Sequence, residues 1–140
     1  MYFDHENLFS WHQAVTTTAP SDNVIDFGRN VDGHQKDVGP GTPVQLDISV
    51  SEPFEGCTAL KVSIETSADE AFTTPVTLLS TADVPVAQLK QAYRFAIGYL
   101  PDGCLRYVRL KYTVTGTATS GKIIAGVVAD RQNITNMGGR

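Results

Sequence analysis

The sequence lacks the features that mark most enzymes and membrane proteins. Among its 140 residues there is no GxSxG nucleophile elbow, no glycine-rich phosphate loop and no HxH pair of the cupin type. No apolar run approaches the ~18 residues that a membrane span requires. The N-terminus has no basic region followed by an apolar one, so we predict no secretory signal and expect the chain to stay in the cytoplasm where it is made.

Cysteine and histidine are both scarce. The two cysteines, Cys57 and Cys104, lie 47 positions apart without a CxxC spacing. In a reducing cytoplasm we expect free thiols, since a disulfide would require a fold that juxtaposes them. The histidines and nearby carboxylates show no metal-ligand spacing, which predicts solvated side chains and no metal or other cofactor: His5, His12, His34, Asp4, Glu6, Asp32 and Asp37.

Charge of one sign dominates each half of the chain. Residues 1–89 carry three basic and thirteen acidic residues, a net charge of −10, and residues 90–140 carry eight basic and two acidic residues, a net charge of +6. The total of −4 argues against nucleic acid as the main partner. Two interpretations are open: the halves interleave in one sheet and pair across strands, or separate acidic and basic surfaces dock against neighbours.

Apolar residues alternate at period two in four segments, residues 44–50, 60–64, 93–99 and 108–114. Strict alternation predicts strands with one buried face and one wetted face. Together with shorter segments, this gives about eight antiparallel strands at roughly ten-residue spacing. The prediction is therefore a single all-β domain, with a jelly roll as the first choice and an immunoglobulin-like β-sandwich as the second.

Turn and helix signals interrupt the strands at several points. Ser67 and Glu70 fit a capping box, which predicts one helical turn that ends near Phe72. Pro85, at the first helical position, predicts a second turn over Pro85–Leu89. Residues 117–121 predict a turn between two separate strands. The glycine-rich residues 28–41 predict a long exposed loop of the kind that often has a function.

The N-terminal segment, residues 1–11, mixes large aromatic side chains with polar ones and has neither a helical nor a strand period. We interpret it as an arm that packs onto something else; the alternative is that it folds back onto its own domain. Residues 12–130 then form the jelly-roll domain, and residues 131–140 form a tail in which Ile134 and Met137 offer a weaker anchor. The aromatic residues of the arm are Tyr2, Phe3, Phe9 and Trp11.

A basic strand segment offers a second candidate surface. Arg106, Arg109 and Lys111 lie around Tyr107 and could grip a phosphate backbone or a sugar. A solvated strand face or salt bridges to another molecule is the simpler interpretation. Sugar binding would need exposed aromatic platforms, whereas the strand tyrosines fall mostly on apolar stripes, which predicts core packing: Tyr93, Tyr99, Tyr107 and Tyr112.

Three stretches of the chain, in collinear order, resemble the jelly-roll capsid cement (decoration) proteins of tailed bacteriophages. The resemblance covers nearly the whole chain and is weakest at residues 29–42 and after Asp130. The matching strings are Leu8–Ser10, Gln13–Thr16 and Asn23–Gly28; Glu65–Phe72 with Pro75 and Leu78–Leu79; and Arg106–Val114 with Gly121–Lys122 and Ala125–Val128.

The resemblance implies a virion structural protein and not an enzyme. Such a protein assembles in the host cytoplasm onto the outside of the capsid, contacts the major capsid protein, bridges neighbouring capsomers and stabilises the expanded shell. It forms a homo-oligomer, with a dimer favoured over a trimer, and uses no cofactor, nucleic acid or membrane. The alternative is a receptor- or carbohydrate-binding jelly-roll module of a virion appendage. The candidate interface residues are Tyr2, Phe3, Phe9, Trp11, Arg106, Arg109, Lys111, Ile134 and Met137.

Two expectations follow for variants. Deletion of residues 1–11 is expected to leave a folded domain that binds shells poorly, because large aromatic anchors dominate interface energetics. Arg109→Glu is expected to weaken binding or self-association without unfolding the protein.

Overall fold

The computed structural model describes residues 3–28 and 44–129. These residues form one seven-stranded antiparallel sheet that curls as a half-barrel, which confirms the predicted all-β fold and is consistent with a β-sandwich. The loop predicted at residues 28–41 lies outside the described residues except for Gly28, and so does the tail at 131–140. The strands are β1 (Phe3–Ala14), β2 (Ala19–Pro20), β3 (Ile25–Asp26), β4 (Leu46–Ser67), β5 (Val76–Ser80), β6 (Val84–Pro85) and β7 (Tyr107–Val128).

Strand β7 is the centre of the sheet. Strand β4 pairs with it along almost its whole length, from Leu46 opposite Val127 to Ser67 opposite Tyr107. The other edge of β7 is shared by β1, β2 and β3, and the free side of β4 carries β5 and β6. Every strand of the described chain is therefore attached to β4 or β7.

The two long strands, with 22 residues each, bend without ending. Their register shifts repeatedly between Val50 and Ala59, and Gly56, Gly116 and Gly121 all have positive φ in the same region. Bulges and glycine kinks of this kind bend and twist a paired ribbon. The prediction of separate strands joined by a turn at 117–121 is therefore wrong, because those residues continue β7 through the bend.

The segment predicted as a strand at residues 93–100 is an irregular ribbon instead. It runs antiparallel to the start of β4, and its hydrogen bonds include Phe95 N–H to Ile48 O at 2.9 Å and Leu46 N–H to Gly98 O at 2.8 Å. Its backbone is irregular and forms two isolated β-bridges instead of a continuous ladder. Phe95 is buried as the alternation predicts, but Tyr99 is 51% exposed, so the prediction of core packing fails for this tyrosine.

The structure also differs from the prediction at both predicted helical turns. At the first, the Asp69 amide donates to Ser67 Oγ at 3.2 Å, and the Phe72 amide donates to Asp69 O at 3.2 Å, which closes a turn without a helix. At the second, Pro85 caps a single 3₁₀ turn, Val86–Gln88. Both signals therefore mark a reversal of the chain, and only the second gives a helical element.

One hydrophobic core joins both halves of the bent sheet. Alternate residues of β4 and β7 point into it, and the ribbon at 93–100 and the N-terminal strand close it. Tyr112, Phe9 and Phe95 are the largest side chains that are fully buried. Burial of an aromatic side chain of this kind removes about 150–250 Å² from water, so these rings dominate the core.

Gly121→Ala is predicted to destabilise the fold strongly. Gly121 has φ of +138°, and a Cβ atom there would lie 2.3 Å from the ring of Phe54, which is itself buried. Overpacking in a closed core costs about 1–3 kcal/mol, and the positive φ adds to this. Urea unfolding measures the loss.

Gly28→Ala is the matched control, because Gly28 also has positive φ (+83°) but has no neighbour within 4 Å of the added Cβ. Equal losses in the two variants would contradict a packing role for the Gly121–Phe54 contact and leave only backbone strain.

Candidate docking surface

Residues 3–11, predicted as an arm, lie in strand β1 of the sheet. Phe3 is paired with Val128 and Leu8 with Gly126, so the segment folds back onto its own domain, which was the alternative left open. Phe9 is fully buried in the core and cannot be an external anchor. The expectation that deleting residues 1–11 leaves a folded domain is therefore not supported by the structure.

Bulges explain why the sequence of β1 shows no strand period. Its register shifts three times, and His12 has a positive φ of 51° at the last shift, between Ser10 and Gln13. An extra residue in one strand of a pair re-aims the side chains on either side of it. Ser10 and Gln13 are buried in consequence, although they are three positions apart, while Trp11 and His12 face solvent.

The exposed side of β1 carries four rings, Phe3, His5, Trp11 and His12, which we call the aromatic patch. Trp11 is 51% exposed and lies at the centre of the patch. Its ring centroid is 6.2 Å from that of Phe3, 5.9 Å from that of His5 and 5.1 Å from that of His12. Edge-on and tilted ring contacts at these distances are favourable, so the neighbours hold the indole in place on an ordered strand.

A buried hydrogen-bond network fastens the strand beneath the patch. Ser10 Oγ donates to Gln13 Oε1 at 2.6 Å and is 2.7 Å from the hydroxyl of Tyr112 on β7. Gln13 Nε2 donates to Pro20 O at 2.9 Å, and the Asp22 amide donates to Gln13 Oε1 at 2.9 Å. Because each of these buried polar groups has a partner, the network stabilises one geometry instead of penalising burial.

The hydroxyl of Tyr112 is the most strongly perturbed group of this network. Burial raises the pKa of the Tyr112 phenol far above its ordinary value, and the hydrogen bond with Ser10 only partly opposes this. A raised pKa in the folded state means that the folded chain keeps the proton longer than the unfolded chain. The stability from this group is therefore complete below pH ~10, the pKa of an unfolded tyrosine, and is lost as pH rises above it.

The basic strand segment is engaged within the chain. Arg106 forms a two-point ion pair with Asp26, with Nε to Oδ1 at 2.8 Å and Nη2 to Oδ2 at 2.9 Å. Arg109 and Lys111 both approach Glu65, at 2.9 Å and 3.7 Å respectively. The structure thus uses these three cations as partners of the chain's own carboxylates.

Glu65 is the acidic hub of this region and was missed by the sequence analysis. Its side chain is almost completely buried, and it lies directly opposite Arg109 in the β4–β7 register. The guanidinium of Arg109 also lies over the ring of Phe72, at 4.1 Å from the centroid, and Phe72 has a positive φ of 51°. The ion pair and the cation–π contact hold this unusual backbone conformation against the sheet.

The ion pairs of the described residues all join the acidic half of the chain to the basic half. Besides the pairs above, Lys122 binds Glu52 at 2.9 Å, and Arg94 lies 3.3 Å from the buried carboxylate of Asp47. This confirms the first interpretation of the charge asymmetry, in which the halves interleave and pair across strands. A single sequence does not show which charged residues pair, because the partners are far apart in it. They are separated by 44 positions in the Arg109 pair and by 80 positions in the Arg106 pair.

Other predicted residues have plain outcomes. Tyr2, Ile134 and Met137 lie outside the described residues. Cys57 and Cys104 are both free, as expected. Cys57 is buried, and the half-buried Cys104 thiol donates to Pro101 O at 3.2 Å.

Within residues 3–28 and 44–129, no three acidic, histidine or cysteine side chains form a metal-binding group. In the same residues, no helix has the length and apolar character to span a membrane.

The chain is an all-β protein with a single bent antiparallel sheet. Comparison with known proteins gives its family. A model of the Bbp16 family matches residues 9–127, which is most of the chain, so the protein belongs to the Bbp16 family, a phage-type family. A comparison with curated proteins gave no match.

Arg109→Gln is predicted to lower the free energy of unfolding by about 2 kcal/mol, because it leaves the buried carboxylate of Glu65 with only the more distant Lys111. Arg109→Glu should cost more, since it places a second carboxylate against Glu65; this replaces the expectation that the variant stays folded. Chemical unfolding at neutral pH measures both effects.

Arg106→Gln is the matched control. The side chains of its ion pair with Asp26 are 30% and 43% exposed, whereas that of Glu65 is 6% exposed, so removal of the Arg106 pair should lower stability much less than Arg109→Gln does. If Arg106→Gln is as destabilising as Arg109→Gln, burial of Glu65 is not what distinguishes the two pairs.

Tyr112→Phe is predicted to lower stability by about 1 kcal/mol at neutral pH, because it removes one of the two hydrogen-bond partners of the buried Ser10 hydroxyl. It should also abolish part of the loss of stability above pH 10, since phenylalanine cannot ionise. Unfolding curves of both proteins at pH 7 and at pH 10.5 test this, and parallel losses at alkaline pH would show that other groups are responsible.

Proposed function

We propose that this protein is a virion structural protein that binds the outer surface of a phage capsid as a cement, or decoration, protein. Membership of the phage-type Bbp16 family carries the proposal. The aromatic patch on β1 supports it, because an exposed tryptophan on an ordered strand is the kind of anchor that dominates protein interfaces.

The proposed partner is the major capsid protein. The protein would assemble in the host cytoplasm onto the capsid exterior, bridge neighbouring capsomers and stabilise the expanded shell, without enzymatic activity, cofactor, nucleic acid or membrane. A stable contact would bury on the order of 1,200–2,000 Å² in total. Many copies on one shell would multiply modest contacts through avidity.

The physical properties of the fold suit this role. A cement protein resists the outward strain of a filled shell, and the unbroken pairing of β4 with β7 gives the protein two long strands that share hydrogen bonds along almost their whole length. The buried network around Ser10 ties the patch to the same sheet, so that a force on Trp11 would reach the centre of the fold. Self-association, as a dimer in preference to a trimer, is part of the proposal.

A glycan-binding module is the second candidate. Trp11 and Tyr99 are each 51% exposed, and exposed aromatic rings are the platforms on which sugars stack. A glycan array separates the candidates, because a cement protein should show no sugar dependence.

The direct experiment is co-sedimentation of the purified protein with capsids that lack it, followed by heating. Saturable binding that raises the temperature of capsid disruption is the expected outcome. An absence of binding to both expanded and unexpanded shells would contradict the proposal and direct attention to the glycan array.

Trp11→Ala is predicted to weaken shell binding about tenfold or more, as for the removal of an interface anchor. Its effect on the unfolding midpoint should be smaller than that of truncating a core aromatic residue, because half of the side chain is already exposed. Val24→Ala, at another exposed apolar residue, is the matched control and should bind normally. Normal binding by Trp11→Ala would place the contact on a different surface.

A further inference from the structure

Strand β5, Val76–Ser80, is the edge of the sheet opposite β1. β4 binds one side of it, and in the part of the chain that the structure describes no strand binds the other side. The outer side of such a strand presents backbone N–H and C=O groups that lack a neighbouring strand. An edge of this kind is a template for the addition of one more strand from another chain.

The side chains of β5 do not protect this edge, whose protective features are its short length of five residues and one bulge. Val76 is 51% exposed and Leu79 is 42% exposed, while Leu78 packs against the core. Between Val76 and Ser80 the strand contains no proline and no charged residue such as lysine. Native proteins commonly use such residues to prevent pairing at an edge, and their absence here favours pairing.

Carboxylates flank β5 in the chain. Asp69 precedes the strand and the exposed Asp83 follows it, whereas the exposed Glu70 acts on Arg106. Hydrogen bonds from Ser67 and Thr73 lower the pKa of Asp69. Charge complementarity favours a partner segment that is basic at both ends and apolar between them.

The shape of the edge selects the type of partner. The register shifts by one residue where Ile64 and Glu65 oppose Leu79 and Thr77, so Leu78 is a bulge. A bulge bends its strand and increases its twist. A flexible extended segment can follow such an edge, whereas the equally bent β5 of a second copy would have to match it rigidly along its length.

We propose that β5 binds an extended, apolar segment of a partner protein, with basic residues at both ends, by adding it to the sheet as a further strand. This inference does not rest on the proposed binding to capsids. It is tested without capsids, so failure of shell binding and failure of this inference are separate results.

The test uses the full-length protein and a short synthetic peptide of alternating valine and threonine with a lysine at each end. At saturation, the amides of Val76–Ser80 are expected to exchange hydrogen about tenfold more slowly. The same peptide with glutamate at each end is expected to bind about tenfold more weakly at low salt, and the difference should shrink as salt screens the carboxylates.

Val76→Lys and Leu79→Lys should each abolish binding of the lysine-flanked peptide, because both place a like charge on the edge. Val24→Lys, the same substitution at an exposed apolar residue elsewhere, should bind normally. Three results would overturn the inference: protection outside β5, equal loss in Val24→Lys, or protection of β5 without peptide that disappears on dilution. The last result would show that a second copy occupies the edge.

Discussion

The fold depends on one continuous pairing, that of β4 with β7. These strands stay hydrogen-bonded through a bend of the sheet, where bulges and positive-φ glycines change the direction of the backbone without separating the strands. All the other strands attach to one of these two. The bend also brings both halves of the sheet against a single core, so the same pairing governs topology and burial.

The sequence predicted the fold class and most strand positions correctly because period-two alternation survives wherever pairing is regular. It failed at the bend, since the same glycine and polar residues that signal a hairpin turn also serve as kinks within a strand. It failed at β1 for a related reason: three register shifts remove the period that would identify the strand. In both places the tertiary pairing overrides the local signal.

The candidate site was only partly predictable. The composition of the N-terminal segment drew attention to its aromatic residues, but only the structure separates Trp11, which faces solvent, from Phe9, which is a core residue. The basic strand was identified for its charge, yet the buried carboxylate of Glu65 engages two of its cations. A glutamate within an alternating strand gives no sign of burial unless its cross-strand partner is known.

The position of β7 in the chain affects folding during translation. β1, β2, β3 and β4 all take their main pairing partner from Tyr107–Val128, which follows all four of them in the chain. Before β7 is synthesised, β4 can pair with β5 and β6, whereas β1, β2 and β3 lack their partner strand. Loop closure over such long separations is slow. The carboxylates in the first half likewise wait for the cations in the second. Folding of the whole sheet is thus expected to wait for the synthesis of β7.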